Sequence, residues 1–228
     1  MKIHLEREID RIYKRILELS ADVEKSLEGA TLALLNQDTE SARKVIEYDH
    51  IIDQHEVDLE EECLKVLSLY QPVATDLRRI VAILKINNDL ERIGDLAKNI
   101  AEYVIEIKRY GTITIPDDFR LMLSETRKML HLALDAFMNE DTALALKISE
   151  LDNRVDKLNV KIILCIKERI PQEMDKMDSL FYLMSASRNI ERVADYAENI
   201  AQDVYYMATG KIIRHHFMDV TEGNDKNG

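Results

Sequence analysis

The sequence has no tryptophan, only three prolines, six glycines and two cysteines, and aromatic residues fill just 6% of its 228 positions. So little turn chemistry and so few aromatics argue against sandwiches, barrels and Rossmann-type sheets. Two cysteines in a chain long enough to bury a sizeable core are not a disulfide framework. Cys63 and Cys165 each fall inside a helix-patterned stretch, which points to the reducing cytosol. No apolar run approaches the roughly 18–20 residues a membrane span requires, and the opening Met-Lys-Ile-His-Leu-Glu-Arg is charged almost throughout. The expected location is therefore cytoplasmic. Positive charge is also scarce, with 31 Lys and Arg against 43 Asp and Glu and a formal net charge of -12. Nucleic acid is not the expected partner, because backbone binding needs clustered cations to displace counterions. An acidic surface suits cations or basic patches on a protein partner.

What the chain does have is helical periodicity. Leu5, Ile9, Ile12, Ile16, Leu19, Val23 and Leu27 recur at three and four positions, as do Ile80, Ile83, Leu84, Leu90, Ile93 and Leu96 further on. Pro72, Pro116 and Pro171 stand where helices begin, Asp38 and Asp141 are placed as N-caps, and Gly111 and Gly210 as C-terminal stops. The punctuation predicts an all-α protein with helices over 3–36, 38–70, 72–110, 117–139, 141–169 and 172–209. Short connections between long helices make sequential neighbours antiparallel.

The chain also repeats itself. ERIGDLAKNIA from Glu91 returns as ERVADYAENIA from Glu191, with seven of eleven residues identical at an offset of 100. NQDTESARKVIEYDHIID from Asn36 returns as NEDTALALKISELDNRVD from Asn139 at an offset of 103. The chain is thus a tandem duplication of a three-helix unit. The expected boundaries are 1–111 and 112–212 for the two bundles, with a polar tail over 213–228 that is disordered at its end.

Both copies keep an acid pair spaced four apart on two helices: Asp49 and Asp53 with Glu91 and Asp95, then Asp152 and Asp156 with Glu191 and Asp195. Four residues is about one turn, so each pair projects from one face, where like charges cost an isolated helix a few tenths of a kcal/mol. Retaining that cost at every copy calls for a cause. If the second and third helices of each half are neighbours, the four carboxylates form an all-oxygen site suited to Mg, Mn, Ca or oxidised iron. The bland alternative is a solvated face with local ion pairs, in which Arg92, Arg192 and Lys98, three beyond Asp95, neutralise the acids. In the second copy Asn88 is replaced by Arg188, on the face of Glu191, a cation placed to displace or tune a metal ion. Asn99 and Asn199 extend the polar stripes.

Other constellations carry less. Glu47 and His50 have the Glu-x-x-His form of di-iron bundles, but the second copy has Glu150 and Asn153, and such bundles need the motif twice. Neither His215-His216 nor His55 has a partner at zinc-ligand spacing, and no phosphate loop or nucleophile elbow is present, so an enzyme is not expected.

The run QPVATDLRRIVAILKINNDLERIGDLAKNIAE from Gln71, its weaker copy from Asn189 to Gly210, and the duplicated architecture resemble the PhoU family of bacterial phosphate-uptake regulators. The similarity covers about residues 1–215, and its specific part is Asp89 to Ala101. The resemblance implies two pseudo-symmetric three-helix bundles and a cytoplasmic negative regulator of phosphate uptake. Its partners would be the ATPase of the phosphate ABC transporter and the sensor histidine kinase of the phosphate regulon, with membrane contact only through the transporter. It also implies a homodimer, and metal ions (Fe, Mn, Mg or Zn) at E(D)xxxD motifs that map onto the eight acids named above. Two alternatives stay open: a carboxylate-bridged metal storage or oxidase bundle, and a passive helical scaffold.

Overall fold

The computed structural model describes residues 2–213, with side chains from His4 onward. Of the tail expected over 213–228, all but Ile213 lies outside the described residues. Six long helices follow one another: α1 (Lys2–Asn36), α2 (Thr39–Tyr70), α3 (Ala74–Tyr110), α4 (Asp117–Asn139), α5 (Thr142–Arg169) and α6 (Met177–Thr209). Asp38 caps α2 by accepting from Glu40 N at 3.0 Å and Ser41 N at 3.3 Å. Asp141 caps α5 in the same way, from Ala143 N at 2.9 Å and Leu144 N at 3.0 Å. Gly111 and Gly210 close α3 and α6 with positive φ of 124° and 73°.

Two helix starts differ from the sequence expectation. α3 begins at Ala74 rather than at Pro72, because Gln71 closes α2 in the left-handed region and Val73 is extended at φ -127°, ψ 159°. A residue before proline is disfavoured in the α region, so the chain must leave one helix fully before entering the next. α6 begins at Met177 rather than at residue 172, preceded by a single 3-10 turn at Met174–Lys176. Arg169 holds that connection, with Nε 2.7 Å from Glu173 and Nη1 donating to the Thr114 carbonyl at 2.8 Å.

α1, α2 and α3 pack as one bundle and α4, α5 and α6 as the other, and the most extensive pairing in the molecule joins α3 to α6 across the two. Lys85 meets Asp203, Tyr103 meets Tyr182, and Ser179 Oγ donates to the Ile107 and Gly111 carbonyls. These pairs run in opposite directions along the two helices, so α3 and α6 are antiparallel and related by an approximate two-fold axis. Their burial follows from that central place. α3 buries Ile80, Ile83, Ile86, Leu90, Ile93 and Ile100 among others, with small Ala97 and Ala101, and α6 repeats the pattern through Ala197 and Ala201. Small buried residues let helix axes approach closely.

Each half solves the same packing problem with a different volume split. A Cβ placed on Gly94 would lie 3.0 Å from Cγ2 of the fully buried Ile52. The equivalent positions in the second half hold Val155 and Ala194, one methylene less on α5 and one methyl more on α6. Gly94→Ala should therefore lower stability by about 1 kcal/mol, the overpacking outweighing the better helix propensity. Adding Ile52→Val should restore most of the loss, because losing the δ-methyl lets the side chain back away. Urea denaturation of the three variants reads this directly, and a stabilising single Gly94→Ala would contradict it.

Candidate functional site

The α2–α3 seam gathers the first set of acids. Asp53 on α2 interacts with Asp49 one turn before it and with Asp95 across on α3, and Glu91 interacts with Asp95, Glu56 and Asp53. Burial and these like charges push the carboxyls of Asp53, Glu56 and Glu91 up from their ordinary values. The seam also holds two cations. Lys98 Nζ lies 2.7 Å from Oδ2 of Asp49, which is only 2% exposed, and Arg92 reaches both Glu91 and Asp95 at 3.3 Å. Lys98 thus pairs across the seam with Asp49 and not, as its spacing implied, along the helix with Asp95.

The α5–α6 seam gathers the second set, Asp152 and Asp156 facing Glu191, Asp195 and Glu198. Here the charges differ at three positions: Asn88, Glu56 and Lys98 are replaced by Arg188, Asn159 and Glu198. The residue equivalent to Lys98 is Glu198, so the counterpart of the buried Asp49–Lys98 pair is Asp152 beside another acid. Burial, then Glu198, Asp156, Asp195 and Glu191, push the Asp152 carboxyl up to about 7. Glu191, Asp195 and Glu198 are raised for the same reason, chiefly burial. Arg188, the replacement that the sequence marks as the cation of this seam, is exposed and acts only as the smallest influence on Glu191. Arg192 acts on Glu191 and Asp195 as Arg92 does on Glu91 and Asp95, so the seams part at the buried aspartate, which has a cation beside it in the first and acids in the second.

All eight acids expected from the sequence lie in these two seams, four in each. Sequence reasoning missed Glu56 and Glu198. Glu56 sits three beyond Asp53 and accepts from Asn87 Nδ2 at 3.2 Å; its signal was helical spacing. For Glu198 the signal was the Lys/Glu difference inside the repeat itself. Asn199 lines the cleft between α3 and α6 beside Glu198. His50 Nδ1 donates to the Glu47 carbonyl at 2.6 Å, so the Glu-x-x-His of α2 closes on its own helix. Burial pushes the Cys63 thiol up to about 12, which keeps it protonated.

Two observations bear on whether the seams suit a metal ion. Oδ1 of Asp49 and Oδ1 of Asp152, at equivalent positions, are both buried without a hydrogen-bond partner, an arrangement that a cation would relieve. Against this, among the described residues no three acid, histidine or cysteine side chains stand close enough to enclose an ion as placed. The donor set fits a hard cation in chemistry, with carboxylates that would turn toward one another to hold it.

Fold and seams together define a tandem three-helix-bundle protein with a carboxylate-lined seam in each half and, among the described residues, no helix long and apolar enough to cross a membrane. The PhoU domain profile matches residues 16–104 and 119–204. The chain belongs to the PhoU family. It is 32% identical over 224 residues, 98% of this chain and 97% of the relative, to the phosphate-specific transport system accessory protein PhoU homolog 1 of Thermotoga maritima. It is 30% identical to the PhoU accessory protein of Escherichia coli, over 91% of this chain and 86% of that one. The crystal structure of PhoU from Pseudomonas aeruginosa superposes with a TM-score of 0.85 at 33% identity, covering 90% of this chain and 99% of that one.

The raised Asp152 carboxyl fixes the sign of a pH effect. The folded chain holds this proton more tightly than the unfolded one, so the contribution of Asp152 to stability is fully present below about pH 4 and is lost as pH rises through about 7. Asp152→Asn should stabilise the protein at pH 8 by on the order of 1 kcal/mol once solvent screening is allowed for, and should change little near pH 4. Equal shifts in melting temperature at both pH values would contradict the assignment. At pH 8, Glu198→Lys should also stabilise, whereas Lys98→Glu should destabilise by about 2–3 kcal/mol because it strands the buried Asp49.

Proposed function

We propose that this chain is a cytoplasmic, non-enzymatic negative regulator of phosphate uptake, working as an adaptor between the ATPase of a phosphate ABC transporter and a sensor histidine kinase, and as a homodimer. The carrying observation is the pair of carboxylate seams built into a rigid duplicated bundle, one with a lysine beside its buried aspartate and one with a glutamate in that place. The accessory-protein names of its relatives support the transporter link. Buried like charges spend stability that an adaptor can use as a docking surface for a basic patch, since complementary charge sets partner choice and encounter rate.

A metal ion is the natural regulator of such a surface. Asp152, Asp156, Glu191, Asp195 and Glu198 would hold it in the second seam, and Asp49, Asp53, Glu91 and Asp95 in the first. Bound there, a divalent or trivalent cation supplies charge neutralisation and a cross-link between two helices. Arg92 and Lys98 already do part of this work in the first seam, so its surface charge depends less on the ion. The carboxylate oxidase reading loses support at Asn153, which stands where a second Glu-x-x-His would need its histidine.

The test is genetic and chemical. Asp156→Lys with Asp195→Lys, both exposed positions, should release a phosphate-regulon reporter from repression in phosphate-rich cells whose own copy is deleted. Full repression would overturn the docking role of the seam. Elemental analysis of tag-free protein should find transition metal in the wild type and less in a variant with Asp152, Asp156, Glu191 and Asp195 changed to Ala. Unchanged metal content would place any ion elsewhere.

A further inference from the structure

The seam between α1 and α4 is unlike the rest of the surface. Glu28 faces Arg127 and Glu24 faces His131, so the two helices run antiparallel. Stacked Tyr13 and Phe137 rings, 5.4 Å apart, close the seam at one end. Away from that stack the helices enclose a cleft of about 690 Å3 between Ala21–Leu35 of α1 and Arg120–His131 of α4. Fourteen residue steps of helix give a trough about 21 Å long. Its floor is apolar, from Leu27, Leu123 and Leu130, and Leu32 on its wall is 47% exposed. Its rim is basic: Lys25, Arg120, Arg127 and Lys128 outnumber Glu24 and Glu28, in a chain whose net charge is -12. Arg127 is paired to Glu28. Lys25 lies over the Tyr48 ring at 5.2 Å. Arg120 and Lys128 are exposed, and among the described residues neither makes an ion pair.

An apolar trough three to four turns long fits the apolar stripe of one helix, and a cationic rim selects what flanks that stripe. We propose that the α1–α4 cleft docks an amphipathic helix with acidic flanks, presented by a protein partner. The site differs from the carboxylate seams in position and in sign, and it stands without any metal. It gives the chain two recognition surfaces of opposite charge, one for a basic patch and one for an acidic helix. Leu32 and Leu35 supply apolar contact, and Arg120 and Lys128 supply the unspent positive charge.

The probes are two fluorescent 14-residue helical peptides with one leucine stripe, flanked by Glu in one and by Lys in the other. Anisotropy with the full-length protein should show the Glu-flanked peptide binding at least tenfold tighter. Arg120→Glu with Lys128→Glu should erase that preference, and circular dichroism should show the fold intact, since both side chains are exposed and unpaired. A photo-crosslinking residue at Ser124 in the cleft should label the Glu-flanked peptide, and one at the exposed Val160 should not. Equal binding of both peptides, no binding, or labelling from Val160 instead of Ser124 would overturn the proposal. So would crosslinks from Ser124 between two copies of the chain, which would make the cleft a dimer interface. Because these readouts involve neither metal nor the acid seams, they fail or succeed independently of the regulatory reading above.

Discussion

The antiparallel pairing of α3 with α6 is the constraint on which the other features depend. It joins the two bundles, buries α3 and α6 on several sides, and fixes α2 and α5 as outer helices leaning on that centre. Each outer helix meets its central partner along a line of acids, so the seams are consequences of the same packing that makes the core. The Ile52–Gly94 contact and its Val155 and Ala194 counterparts show how tightly the seam spacing is held. A shift of one methylene on one helix is matched by one on the other, as close-packed interiors require.

Given that frame, one side chain in each half decides what its seam can do. The Lys98 ammonium lies 2.7 Å from Asp49 and pairs with a nearly fully buried carboxylate inside the α2–α3 seam. Glu198 at the matching place leaves Asp152 with acids on every near side and a carboxyl raised to about 7. Duplication supplied the two copies, and this exchange makes them unequal. The buried aspartate of the first seam has a cation beside it, and its counterpart in the second has acids, which add to burial in raising its carboxyl. On the α1–α4 side the sign reverses, with cations around an apolar trough.

Much of this was legible in the residues. The helices, their Asp38 and Asp141 caps, the Gly111 and Gly210 stops and the duplication all follow from local chemistry that tertiary structure does not override. The starts of α3 and α6 were misplaced because Pro72 and Pro171 permit a helix start without requiring one, and the connections there are set by contacts such as Arg169 with Glu173 and Thr114. The eight acids were found because spacing and repetition are sequence properties. Lys98 was assigned to the wrong acid because helical spacing ranks neighbours on one helix, whereas its partner lies across a seam whose register only packing defines. Arg188 is exposed, and its charge acts on Glu191, as its spacing implies, as the smallest of the influences there.

The account turns on the claim that the α5–α6 seam, and not the α2–α3 seam, has the unspent capacity for a cation. Crystals of the wild-type protein soaked in manganese, measured at the manganese absorption edge, test this by position alone. The account predicts anomalous density beside Asp152 and Glu198 that is stronger than any near Asp49 and Lys98. Density confined to the Asp49 seam would contradict it.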